Sequence, residues 1–157
     1  MSSRRKAREL ALCALYAHEF SKNPIEQVKK EVIANEVQAE EILTFAGKLF
    51  KSTIKHGTEL DDMITIKALN WDFERIAIMD KLILRMAICE FLYFRSIPPK
   101  VSIDEAIEIS KKYSTEKSSK FINGILDSVL AELRKSDRLN KKGRGLIEGK
   151  TRKSESF

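Results

Sequence analysis

The segment from Arg75 to Arg95 constrains the fold more than any other, because it is apolar on nearly every side of a helix. Ile76, Ile78, Met79, Leu82, Ile83, Leu84, Met86, Ile88, Phe91, Leu92 and Phe94 leave no broad polar face. A helix that is hydrophobic all round has to be enclosed by other helices, so this one is read as the central element of an all-α protein. Only 6 glycines and 3 prolines occur in 157 residues. That scarcity favours helices on short connections, since sheets and long loops need turn residues at many points. No stretch approaches the ~20 apolar residues of a membrane span.

Apolar residues recur at helical spacing along the rest of the chain. A first helix is expected from about Ser3 to Phe20, with Ala7, Leu10, Ala11, Ala14 and Leu15 on one stripe. Asn23-Pro24-Ile25-Glu26 offers an N-cap, a proline in the first turn and a capping-box acid for a second helix to about Ala34. A third runs from about Gln38 to His56, stopped by Gly57. Thr58 is read as the cap of a short helix to about Ala68, and Asp72 as the cap of the central one. Pro98-Pro99 ends the central helix, and Ser102-Ile103-Asp104-Glu105 is read as a capping box opening the next. A last helix covers about Ser118 to Lys135, with Gly124 inside it, where close approach of another helix would compensate the glycine. About seven helices in two subdomains (about 1–70 and 71–138) are expected, followed by a disordered basic tail over 139–157.

Charge is distributed unevenly. Residues 1–8 carry +4 and residues 134–157 carry +6, so the middle of this +6 chain is −4. Clustered cations attract polyanions in a way that evenly mixed charge does not. Arg4, Arg5, Lys6 and Arg8 stand at a helix N-terminus, where they oppose the macrodipole, so stability alone does not account for them. Guanidinium forks suit phosphate oxygens, and Tyr16, two turns further on, offers either a core residue or a stacking face for an unpaired base. The same cations followed by Leu10–Tyr16 resemble a secretory leader, but Glu9 and His18-Glu19 interrupt the apolar run.

Catalytic chemistry finds no support. His18 and His56 lack partners at metal-ligand spacing, and Cys13 and Cys89 are too few for a disulfide framework, so a reducing cytoplasm is expected. Asp61-Asp62 and the Asp104/Glu105/Glu108 group suggest paired carboxylates, yet Glu108 meets Lys111 and Lys112 at salt-bridge spacing. Gly143-Arg144-Gly145 lacks the strand and helix of a phosphate loop. No enzyme, catalytic residue, metal or cofactor is expected.

Four blocks in order resemble the NusB family of bacterial transcription antitermination factors. They are Arg4–Glu9 leading to Ala14-Leu15-Tyr16; Trp71 with Arg75 and then Asp80–Glu90; Ile97–Glu108; and Lys120–Asp127. The resemblance implies an all-α fold of two helical subdomains and binding of boxA RNA from ribosomal RNA leaders together with NusE, a small-subunit ribosomal protein. That complex would join NusA, NusG and RNA polymerase. It maps RNA contacts to Arg4, Arg5, Lys6, Arg8 and Tyr16, adds Lys120 and Phe121, and puts Asp80 near the NusE surface. One departure is Cys13, where the family commonly has glutamine, and the tail beyond Leu139 exceeds the family core. Two other readings stand beside it: a related RNA-binding module in ribosomal RNA maturation or ribosome assembly, and a protein–protein adaptor whose basic ends only solubilise.

Overall fold

The computed structural model describes residues 3–68 and 72–141. Trp71, the Gly143–Gly145 stretch and most of the expected tail lie outside these residues. Seven α-helices and no strand occur among them: α1 (Ser3–Ser21), α2 (Ile25–Val28), α3 (Glu40–Lys55), α4 (Gly57–Lys67), α5 (Ile78–Tyr93), α6 (Pro99–Tyr113) and α7 (Glu116–Lys135). A π-helical stretch, Lys29–Ala34, continues α2, and a 3-10 turn, Phe73–Arg75, precedes α5. The chain divides into two compact units, Met1–Thr58 and Glu59–Phe157.

In the first unit α1 packs on α3 and on the α2–π stretch. Ala7, Leu10, Ala11, Ala14 and Leu15 are all buried, as the helical period requires. They share this unit with buried Val28, Ile33, Phe45, Leu49 and Phe50. In the second unit α5 packs against both α6 and α7, which also pack on each other. Leu82, Ile83, Leu84, Met86, Ile88 and Phe91 are buried on successive sides of α5, which is the enclosure its sequence demands. Burial of each such side chain contributes roughly 1.5–3 kcal/mol. Asp61 on α4 takes a two-pronged bond from Arg85 on α5, at 2.6 and 3.0 Å, and Lys67 on α4 pairs with Glu132 on α7 at 3.6 Å.

Several local expectations are corrected. Asn23 makes no cap; Pro24 is the N-cap of α2, its carbonyl taking the first helical bonds from Gln27 and Val28. Gly57 does not end α3. His56 does so with φ −102°, a conformation that needs no glycine, and Gly57 opens α4 ahead of Thr58. Asp72 caps as expected, but its Oδ1 accepts from the Glu74 N–H of the 3-10 turn, so α5 starts at Ile78 rather than Arg75. α5 also stops at Tyr93, before the prolines; Pro98 and Pro99 instead start α6, where a missing N–H costs nothing. Ser102 therefore falls inside α6, where its Oγ donates to buried Glu90 Oε1 at 2.6 Å and forms no capping box. Gly124 is exposed with open space where a Cβ would stand, so no helix among the described residues approaches it.

Candidate nucleic-acid interface

The first unit carries the basic cluster on α1, whose first turn holds no acid. The structure separates its four cations. Arg4 is exposed, and its guanidinium carbon lies 4.2 Å from the centre of the Phe45 ring on α3. Arg5 and Lys6 are half-buried. Arg8 is only 3% exposed, with its guanidinium 5.5 Å from the same ring. Arg4 and Arg8, one turn apart, thus both lie over the Phe45 ring in a cation–π arrangement. A small hollow of about 100 Å³ beside Arg4 is lined by Ala7, Glu41, Ile42 and Phe45.

Tyr16 is not a core residue. It is 43% exposed and meets Phe20, 63% exposed, at 4.8 Å between ring centres. Cys13, one turn before Tyr16, is also exposed. His18 packs edge-on to Phe50 at 6.3 Å, an ordinary packing role.

The second unit holds a cleft of about 420 Å³ lined by Arg75, Ile76, Ala77, Asp80, Lys117, Ser118 and Phe121. Its wall is set by Asp80, which is buried in the first turn of α5. Asp80 Oδ1 accepts from Ser114 Oγ and Oδ2 from Ser118 Oγ, each at 2.8 Å. Thr115 Oγ1 accepts from the Ser118 N–H at 3.0 Å and so caps α7. This hydroxyl cluster fastens the α6–α7 corner to α5 and fixes the line of Lys117 and Phe121 above it. Lys117, Lys120 and Phe121 lie at i, i+3 and i+4 and share one side of α7. Lys117, Lys120 and Arg75 are exposed, and Phe121 is half-buried. The half-exposed Phe121 ring, the two cations that line the cleft, Arg75 and Lys117, and the apolar Ile76 and Ala77 beside them are the groups that can take a stacked base with its phosphate.

The NusB family model matches residues 5–131, which is most of the chain and spans both units. The chain belongs to the NusB family. A relative named transcription antitermination protein NusB, from Chloroherpeton thalassium, is 47% identical over 147 residues, covering 93% of this chain and 70% of the relative. Among solved structures, T. maritima NusB superposes with a TM-score of 0.77 at 35% identity, over 84% of this chain and 93% of that one. A chain from a crystal structure of antitermination factors NusB and NusE in complex with double-stranded RNA gives 0.76 at 25% identity, over 84% and 98%.

Within this NusB-family chain, the seven residues expected at RNA do not have equal access. Arg4, Tyr16 and Lys120 are exposed, Arg5, Lys6 and Phe121 are half-buried, and Arg8 is withdrawn under the surface. Asp80, expected at a partner surface, reaches the cleft only as part of its wall and spends both oxygens on hydroxyls. Sequence reasoning missed Lys117 and the site roles of Phe45 and Arg75. Lys117 was recoverable from its spacing to Lys120 and Phe121; Arg75, 42 positions away, carried no such signal.

Proposed function

We propose that this chain is a transcription antitermination factor that binds the boxA element of ribosomal RNA leaders together with NusE, and through that complex serves NusA, NusG and RNA polymerase in the cytoplasm. It acts by binding, with no catalytic step. The observation that carries the reading is the cleft that Phe121 lines together with exposed Arg75 and Lys117 and with apolar Ile76 and Ala77. Phe121 stacks an unpaired base there, while Lys120 and Lys117 take phosphates. In the first unit Arg4, with Arg5 and Lys6, supplies further phosphate contacts, and Tyr16 with Phe20 offers a second stacking surface. Arg8 supports Arg4 by sharing Phe45 rather than contacting RNA itself. Asp80 serves the NusE-facing surface indirectly, by holding the α6–α7 corner. The relation to a NusB crystallised with NusE and RNA supports both partners.

Titration of boxA RNA and a scrambled RNA, with and without NusE at two salt concentrations, tests this. Tighter binding with NusE, preference for boxA and a steep fall with salt are expected. Binding that ignores both sequence and NusE would favour a general role in ribosomal RNA maturation. Undetectable binding in every condition would leave only the protein adaptor.

A further inference from the structure

α3 carries a lysine face that the arginine cluster of α1 does not account for. Lys48, Lys51 and Lys55 are all exposed, and from residue 42 to residue 58 the chain holds no Asp or Glu. The acids of this helix, Glu40 and Glu41, are confined to its first turn, where the dipole favours them. The dipole also accounts for Lys55 in the last turn, but not for Lys48 and Lys51. Lys51 and Lys55 stand four residues apart, a like-charge spacing that weakens a helix. Stability alone therefore does not explain this face.

Two cations from other elements of the first unit close its flanks. Lys29, which opens the π-helical stretch, lies across Gly47: a Cβ there would stand 2.9 Å from Lys29 Cε. Gly47 is buried within α3, where glycine weakens a helix relative to alanine, and the close passage of the lysine stem is what the missing Cβ allows. Lys51 Nζ pairs with Glu26 Oε2 at 2.8 Å. That bond holds the Glu26 carboxyl below its ordinary value, and the charge of Lys29 acts the same way, so both ammonium groups gather near one carboxylate. On the other flank Arg4 lies over Phe45. At about 100° per residue, Lys51, Lys55 and Lys48 stand about 40°, 80° and 100° round α3 from Gly47, and Phe45 about 160°. The lysines thus fill the arc between Lys29 and Arg4, and Lys48 is one turn from the ring on which Arg4 lies. Phe45 to Lys55 is about 15 Å of helical rise, the length of about four stacked nucleotides.

We propose that this lysine face of α3, bordered by Lys29 and continuous with Arg4, carries the phosphate backbone of the RNA strand flanking boxA without reading its bases. This rests on the RNA-binding reading above. Lysine ammonium groups act on phosphate as point charges and lack the planar fork that fixes a bidentate geometry, which suits holding a backbone. Phe45 and Phe50, the aromatic residues of α3, are buried, so this helix offers no open ring to a base.

The test compares three full chains, each with NusE: the unaltered chain, the variant Lys29→Gln, Lys48→Gln, Lys51→Gln, and a charge-matched control. The control, Arg95→Gln, Arg134→Gln, Lys135→Gln, removes three exposed cations at the C-terminal ends of α5 and α7, away from the Phe121 cleft. The probes are a boxA RNA of about 12 nucleotides, within the site size of a single-strand-binding module, and the same RNA extended on both sides to about 30, beyond it. The α3 variant is expected to keep the short-RNA affinity within about twofold and to lose about tenfold on the long RNA at low salt. Its slope of log affinity against log salt on the long RNA should flatten by about 2, at roughly 0.7 for each of three phosphates. Its melting temperature should barely change, because exposed ion pairs contribute little. The control is expected to match the unaltered chain within about twofold on both RNAs. Unchanged long-RNA affinity and slope in the α3 variant, or an equal loss in the control, would overturn the proposal while leaving boxA binding intact. An equal loss on short and long RNA would overturn the assignment to the flanking strand. Failure of the unaltered chain to bind the short RNA would instead overturn the RNA reading, and this proposal with it.

Discussion

Replacing Lys141 by methionine should cost stability, and the cost should grow as the solution becomes more alkaline. Lys141 donates two bonds of 2.8 Å to carbonyls at the end of α5 from a buried position. Bonds from a charged donor contribute roughly 1.5–3 kcal/mol each. Burial opposes them: it pulls the ammonium from 10.5 down to about 8, with the Glu90 carboxylate acting the other way. That shift corresponds to a burial cost of about 3 kcal/mol for the charged form. At pH 7 the two effects largely offset, leaving a loss of about 1–2 kcal/mol for the variant. At pH 9 the amine is neutral yet still has two N–H donors for the two carbonyls, so the bonds survive and the burial cost is gone. Because the folded value lies below the unfolded one, the unfolded chain binds more protons between them, and stability rises with pH across about 8 to 10.5. For one such site the gain from pH 7 to pH 9 is about 1 kcal/mol. Tyr93, raised to about 12 by burial and by its bond to Glu59, loses its contribution only from pH 10 upward, outside this window. Urea unfolding of the two chains at pH 7, 8 and 9 reads the difference directly. A difference that stays constant or narrows as pH rises would refute the reasoning.

Further outcomes follow from the same contacts. Asp137→Gly relieves the left-handed strain at φ 59° and should raise the urea midpoint by the equivalent of about 0.5–1 kcal/mol with no change in m-value. Ser102→Ala removes the 2.6 Å donor to the buried Glu90 carboxylate and should cost about 2 kcal/mol in the same assay. Arg4→Ala should flatten the salt dependence of RNA binding by about 0.7 with the melting temperature nearly unchanged, because Arg4 is exposed. Arg8→Ala should do the reverse, lowering the melting temperature first, because Arg8 is buried beside Phe45.

The fold was legible where one residue's surroundings are decided by its own helix. The stripe of α1 and the all-round apolar α5 announce what they bury, and the helix count follows from their periodicity. Boundaries failed where tertiary contacts override local signals. Ser102 looks like a cap until Glu90, twelve positions earlier, claims its hydroxyl. Pro98-Pro99 reads as a stop, although a proline at a helix start is equally at home. At the site, cations at adjacent helical positions were visible, but their unequal exposure was not, since it depends on Phe45 from another helix. Asp80 was singled out without its hydroxyl partners, Ser114 and Ser118, because a pairing across more than thirty residues leaves no periodic trace.

The central claim, that a base stacks on Phe121 in the second unit, is tested most directly by the affinity of Phe121→Ala for boxA RNA in the presence of NusE. Loss of one stacked base should weaken binding by about tenfold or more, at roughly 1–3 kcal/mol per base. Since no charge is removed, the slope of log affinity against log salt should stay the same. An affinity within twofold of the unaltered chain, with the fold intact by circular dichroism, would contradict the account.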